Sequence, residues 1–232
     1  MRNTQPDVFR SVCIAHVILA RIVERMHSLH DSPNSPDEKQ ESDRLDAYLV
    51  KFRLSLPQSA ASVLSASRQD RELVVWLNML MYLMTILLNY RPTKSTTQDN
   101  GDPPPMEKTD HFAHVVIAAR NIVQLIRDTS LISVDLLVNP NFGSVIYLAG
   151  SILITEWRST KDMNLKDDID MIYLLFDRYQ EQFPRLGMKY KGSLDIDLQR
   201  PLEVVSKLRE EGFRGLWDST ILSCTRLGLP WC

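Results

Sequence analysis

At 232 residues the chain is long for one domain and short for two, and its 44% hydrophobic and 24% charged residues are those of an ordinary globular protein. Its 27 Lys and Arg against 29 Asp and Glu give a formal net charge of -2, with no basic block of the kind that follows phosphates, so direct contact with nucleic acid is not expected. Cys13, Cys224 and Cys232 form no C-x-x-C pair and no regular frame, which argues against a disulfide scaffold and fits a reducing compartment. No Asn-x-Ser/Thr acceptor with a permissive middle residue occurs. Asp7, Arg10 and Arg21 interrupt the first apolar stretch, which is therefore not a secretory signal.

Val8, Val12, Ala15, Leu19, Ile22, Val23, Met26 and Leu29 share one helical stripe, with Arg10, Arg21 and Arg25 largely off it. This predicts an amphipathic helix of about six turns. It stops at 31–36, where Pro33 and Pro36 sit among polar residues. A second helix can start at Pro36 or Asp37, with Asp37, Glu38 and Glu41 near its positive end. Its apolar positions are sparse (Leu45, Tyr48, Leu49, Phe52), so it should lie on the surface with one narrow buried edge. Residues 54–67 are rich in Ser and Ala and read as irregular, with room for a short helix.

Residues 68–90 form the predicted central helix, apolar almost all round and therefore buried among others. Sixteen residues, 73–88, carry no charge, and fourteen at 142–155 carry none either. A spanning helix needs about 20 apolar residues, so both runs read as core and no membrane partner is expected. Residues 93–109, with Gly101 and Pro103 to Pro105, have no periodicity and read as a flexible loop. Thr109 or Asp110 caps the next helix, whose stripe is Phe112, Val115, Val116, Ala119, Ile122, Val123 and Ile126. Pro140 marks a break before a mostly apolar helix over 141–158. There Gly143, Ala149, Gly150 and Ser151 would let a neighbour pack closely. An amphipathic helix follows over 161–183, aligning Ile169, Ile172, Phe176, Tyr179 and Phe183, and a short one near 201–211. The remaining tail carries Trp217 and Trp231. The expected fold is all-α: one helical domain over 1–212 with a hairpin-like buried core, and a C-terminal tail over 213–232.

Chemistry is sparse. His27-x-x-His30 and His111-x-x-His114 each put two imidazoles on one helix face, but no cysteine or H-E-x-x-H accompanies them, and helix ends explain polar residues there. Asp167, Asp168 and Asp170 cluster near a helix start, where acids complement the dipole more often than they perform acid–base work. Asp195 and Asp197 fall in a stretch read as irregular, without an evident partner. Ser144 and Ser151 follow glycines but lie in no G-x-S-x-G, and no phosphate-binding glycine loop occurs. Trp76, Tyr82, Phe142, Tyr147, Trp157, Tyr173 and Phe176 are either core or the lining of an apolar ligand pocket. No catalytic, cofactor-binding or metal-binding residue is assigned, and an enzyme is not expected.

Five segments occur in order: Phe9-Arg10-Ser11-Val12 leading into 15–22; Phe52-x-x-Ser55-Leu56-Pro57; the apolar run 77–92 closing on Tyr90-Arg91-Pro92; Ala118-Ala119-Arg120-Asn121-Ile122; and Asn139-Pro140-x-Phe142 running through 149–154. In order and spacing they resemble the regulatory domain of fungal-specific transcription factors, the middle homology region of zinc cluster proteins. The resemblance implies a nuclear, RNA polymerase II regulatory function exerted through a small apolar ligand or a co-regulator protein, with a homodimer as a further option. Family members carry a six-cysteine zinc cluster for DNA contact. The cysteines here do not form one, so zinc is expected only in a separate N-terminal module. The alternative reading is a stand-alone helical protein that binds a small molecule or another protein, with a membrane-associated protein ranked below it.

Overall fold

The computed structural model describes residues 7–31, 37–89 and 111–211. Among them are nine α-helices, one 3-10 turn and no strand. They are α1 (Val8–Asp31), α2 (Asp37–Ser55), α3 (Gln58–Ala61), α4 (Arg71–Asn89), α5 (His111–Ser130), α6 (Pro140–Thr160), α7 (Met163–Gln182), α8 (Pro184–Gln199) and α9 (Leu202–Glu211), with the 3-10 turn Val134–Leu136 between α5 and α6. The expected loop over 93–109 and tail over 213–232 lie outside the described residues, as do the closing Tyr90-Arg91-Pro92 of the central run and two of the cysteines.

Two apolar helices organise the packing. Around α4 gather α1, α2, α3 and α5; around α6 gather α5, α7, α8 and α9; α4 also touches α6 and the 3-10 turn. One continuous apolar core runs from Val8 to Leu194. The stripe read for α1 is the buried one: Val8, Val12, Ala15 and Ile22 are inside, with Leu19, Val23 and Met26 packed at its margin. Of the apolar positions read for α2, Leu45 and Leu49 are buried, while Tyr48 is 60% exposed, so the buried edge is narrower than the sequence implied. Both Trp76 and Leu83 of α4 sit partly buried at the edge of the core, while Leu77, Leu80 and Met84 are fully enclosed. α4 is the one described helix long and apolar enough to cross a membrane, and 56% of that window is buried within the protein.

Local chemistry sets the boundaries. Asn139 caps α6, its side chain accepting from the Asn141 N–H, and Pro140 takes the first helical position, where its missing donor costs nothing. α6 ends where Lys161 adopts φ 58°, a left-handed cap. Asp162 then caps α7 by accepting from the Asn164 N–H. The corner before α6 is held from across the core: the fully buried Tyr179 hydroxyl donates to Leu137 O at 2.8 Å and Asn139 O at 2.6 Å.

α6 carries the close contacts foreseen for its small residues. A Cβ on Gly143 would fall 2.4 Å from Cε2 of Tyr190, and one on Gly150 would fall 3.0 Å from Leu194 Cδ2. α8 therefore lies against α6 through Tyr190 and Leu194, both buried. Gly187 does the same for α7 and α8, since a Cβ there would meet the Gln180 backbone nitrogen at 2.5 Å.

Candidate functional site

Of the two histidine pairs, one has side chains among the described residues. His111 and His114 are exposed on α5, and the His27 and His30 side chains lie outside the described residues. No three His, Cys, Asp or Glu side chains converge on a common point among the described residues. Cys13 is exposed on α1 and free.

The Asp167–Asp170 cluster does not serve the helix dipole, because α7 begins earlier, at Met163, with Asp162 as its cap. Asp168 instead points into the α5–α7 interface and is 3% exposed. Arg120 Nε donates to its Oδ2 at 3.0 Å and Arg127 Nη2 to its Oδ1 at 2.6 Å. A carboxylate so placed needs such partners, since an unpaired buried charge is strongly unfavourable. Asp170 pairs along its own helix with Lys166, and Asp167 is exposed. Nothing here is poised for proton transfer: Asp168 faces two arginines rather than a cavity.

Asp195 and Asp197, expected in irregular chain without partners, are in α8 and both are held. The irregular reading failed because Gly187, Gly192 and the sparse apolar positions of 184–199 blur the helical period. Asp197 is 3% exposed between α6 and α8. The Tyr147 hydroxyl donates to its Oδ2 at 3.3 Å, Ser151 adds a side-chain hydrogen bond, and Arg200 Nη2 lies 2.6 Å from Oδ1. Oδ1 receives no well-directed hydrogen bond, because Arg200 approaches off the line that one requires. Burial pushes the Asp197 carboxyl above the usual carboxylate range, against the opposing pull of Arg200, Ser151 and Tyr147. Arg158 closes the end of α8 by donating to Leu198 O at 2.6 Å and to Arg200 O. Nearby, the Tyr173 hydroxyl donates to Asp195 Oδ1 at 2.7 Å; burial first, then that acceptor, raises its pKa. Ser151 thus belongs to a packing network with no histidine in it, and Ser144 is exposed.

The aromatic residues divide between core and surface. Trp76 stacks on Phe142 with centroids 5.3 Å apart and planes at 14°, and Phe176 stacks on Tyr190 at 5.0 Å. Tyr147 also stacks on Tyr190, and Lys161 sits over Trp157. Of the seven aromatics considered for a ligand pocket, Tyr82 borders a polar depression of about 80 Å³ that also takes in Asn78, Asn121 and Gln124.

The larger concavity has a different lining. A groove of about 250 Å³ opens between the end of α5, the 3-10 turn and α7. Ile126, Val134, Met171, Leu174 and Leu175 form its apolar wall, and Asp177, Arg178 and Glu181 its rim. Leu174 is 62% exposed, and Leu131, which follows the Ser130 of the lining, is 80% exposed. Its size suits one or two apolar side chains, and its polar lining is Ser130 together with the charged rim. The signal in the sequence was Leu174: it falls off the buried Ile169, Ile172, Phe176 stripe, so a large apolar side chain is spent on the solvent face of α7.

No family model, curated protein or solved structure matches this chain.

Proposed function

We propose that the chain is the regulatory region of a fungal RNA polymerase II transcription factor, working in the nucleus by binding a small apolar ligand or a co-regulator protein. DNA contact and zinc belong to a separate zinc cluster module in this reading, and the chain itself catalyses nothing. The observation that carries it is the order of the five resembling segments along the helices. The first lies in α1, the second ends α2 at Leu56-Pro57, the third runs through α4, the fourth lies in α5, and the fifth starts α6 at its Asn139 cap. Two segments break at a residue that physically ends or begins a helix, Pro57 after α2 and Asn139-Pro140 at the start of α6, and the close of the third on Tyr90-Arg91-Pro92 lies outside the described residues. The groove gives such a region a place for a partner's apolar side chain. The buried carboxylates support a non-catalytic role, since Asp168 and Asp197 hold helices together.

The test is a fusion of the full chain to a heterologous DNA-binding domain in a fungal reporter strain. The expected result is nuclear fusion protein and reporter output changed several-fold from the DNA-binding domain alone. A nuclear-excluded fusion with unchanged output refutes the proposal and leaves a helical binding protein. A six-cysteine cluster in frame upstream of Met1 in the gene would support it independently.

A further inference from the structure

Asn78 stands inside the charge-free run of α4, and it lines the polar pocket of about 80 Å³ at the seam with α5. Its Nδ2 donates to Val74 O at 2.8 Å and to Ala60 O of α3 at 3.2 Å. Both amide hydrogens are thereby used, and Oδ1 is left without a donor among the described residues. Across the seam Gln124 and Asp128 lie one turn apart on α5 and line the same pocket. Gln124 Nε2 donates to Asp128 Oδ1 at 2.8 Å, which leaves Gln124 Oε1 and Asp128 Oδ2 in the same condition. Tyr82 and Asn121 add a hydroxyl and a carboxamide that can donate or accept.

Asp128 also lacks a cation. Among the described residues no lysine or arginine pairs with it, whereas Asp168, Asp170 and Asp177 of α7 each have one. Its neighbour Arg127 is committed to Asp168, and Arg53 lies over the Tyr82 ring, 5.7 Å from its centroid, without pairing with Asp128. The pocket therefore offers an excess of acceptors and one uncompensated negative charge. Anions are repelled by the carboxylate. A guanidinium binds best to both oxygens of a carboxylate, and here Gln124 holds one of them. A primary ammonium matches instead: it is a compact cation with donors on three sides and no acceptor, and the oxygens of Asn78, Gln124 and Asp128 lack donors. The volume admits a few heavy atoms rather than a drug-sized ligand.

We propose that this pocket binds a primary ammonium group on a short carbon chain, with Asp128 meeting the charge and Asn78 and Gln124 accepting from its N–H groups. The inference stands apart from the transcription reading and from the α5–α7 groove, because it uses only the polar groups of the α4–α5 seam.

The experiment follows the side-chain amide resonances of Asn78 and Gln124 in the 15N-labelled full chain, at constant ionic strength in sodium chloride. Ethylammonium stands for a free amine, and Nα-acetyl-lysine methylamide for the lysine of a protein. The expected result is a saturable shift of both amides with a dissociation constant of about 1 mM, near the limit for so few ligand atoms. The arm that binds more tightly identifies the source of the ammonium. Asp128→Asn weakens binding at least about tenfold, and Gln124→Ala weakens it several-fold; the unchanged remainder of each spectrum verifies the fold. Tetramethylammonium, which has the charge but no N–H, leaves the two amides unmoved. Neither arm saturating by about 50 mM overturns the proposal. So does binding that is indifferent to both substitutions, or a tetramethylammonium or potassium titration that moves the same amides equally, since charge alone would then suffice.

Discussion

α8 contains two glycines whose replacement by alanine should have opposite effects. Both Gly187 and Gly192 lie within Pro184–Gln199, so both gain the same helix propensity on becoming alanine, about 1 kcal/mol. Around Gly192 nothing lies within 4 Å of the added Cβ, and that gain is retained. At Gly187 the Cβ would lie 2.5 Å from the Gln180 backbone nitrogen and 2.7 Å from its Cα. Ordinary contact begins near 3.4 Å, so α7 and α8 must part by most of an ångström. The obstacle is main chain and cannot rotate away. Overpacking of this kind costs about 1–3 kcal/mol and sometimes more, so the propensity gain is cancelled and exceeded. Urea unfolding followed by circular dichroism should show Gly192→Ala with a raised midpoint and Gly187→Ala with a lowered one, at unchanged slope. The separation between the two variants should be about 1–3 kcal/mol, the overpacking magnitude alone, because the propensity gain is common to both. If Gly187→Ala is as stable as Gly192→Ala, the close approach of α8 to α7 is wrong.

Three further outcomes follow from the buried polar groups. Replacing Arg120 and Arg127 together by Ala strands the Asp168 carboxylate and should cost about 3–5 kcal/mol, whereas Asp168→Asn should cost less, because the two arginines are 48% and 35% exposed and can rehydrate; equal losses in chemical denaturation would contradict this asymmetry. Asp197 has a folded-state pKa raised by burial, so its ionised form opposes folding above that pKa and the penalty fades as pH falls through it. Wild type should therefore gain stability relative to Asp197→Asn as pH is lowered from 7 towards 4, and a widening deficit of wild type would invert the argument. Tyr179→Phe removes the donor shared by Leu137 O and Asn139 O and should cost about 1–3 kcal/mol by thermal unfolding; no change would mean that water replaces the hydroxyl at this corner.

Helical class and element order were readable because α1, α4, α5, α6 and α7 carry long periodic apolar stripes. The proline breaks at Pro57 and Pro140 were equally plain. α8 was not, since a helix whose buried residues are Gly187, Tyr190, Leu194 and Asp197 shows little apolar period. The polar interior was hidden for a different reason. Asp168 belongs to an acidic run that looks solvent-facing, and its partners Arg120 and Arg127 are 48 and 41 residues away in sequence. Likewise Asp197 meets Tyr147 across 50 residues. Spacing rules see neighbours along one helix and are blind to such encounters. The groove could be suspected only through Leu174, and its other walls come from α5 and the 3-10 turn.

α4 has a consequence for the order in which the chain is made. As it leaves the ribosome its possible covers are α1, α2 and α3, while α5, α6 and the 3-10 turn, which enclose the rest of it, are still to be synthesised. Until they arrive, a helix apolar enough to pass for a membrane span stays partly bare, and it is open to chaperones, to the targeting machinery or to another nascent chain. A product terminated before residue 111 would keep that surface for its lifetime. Premature stops and splice variants in this interval are therefore expected to be insoluble, even though they retain every residue of α4.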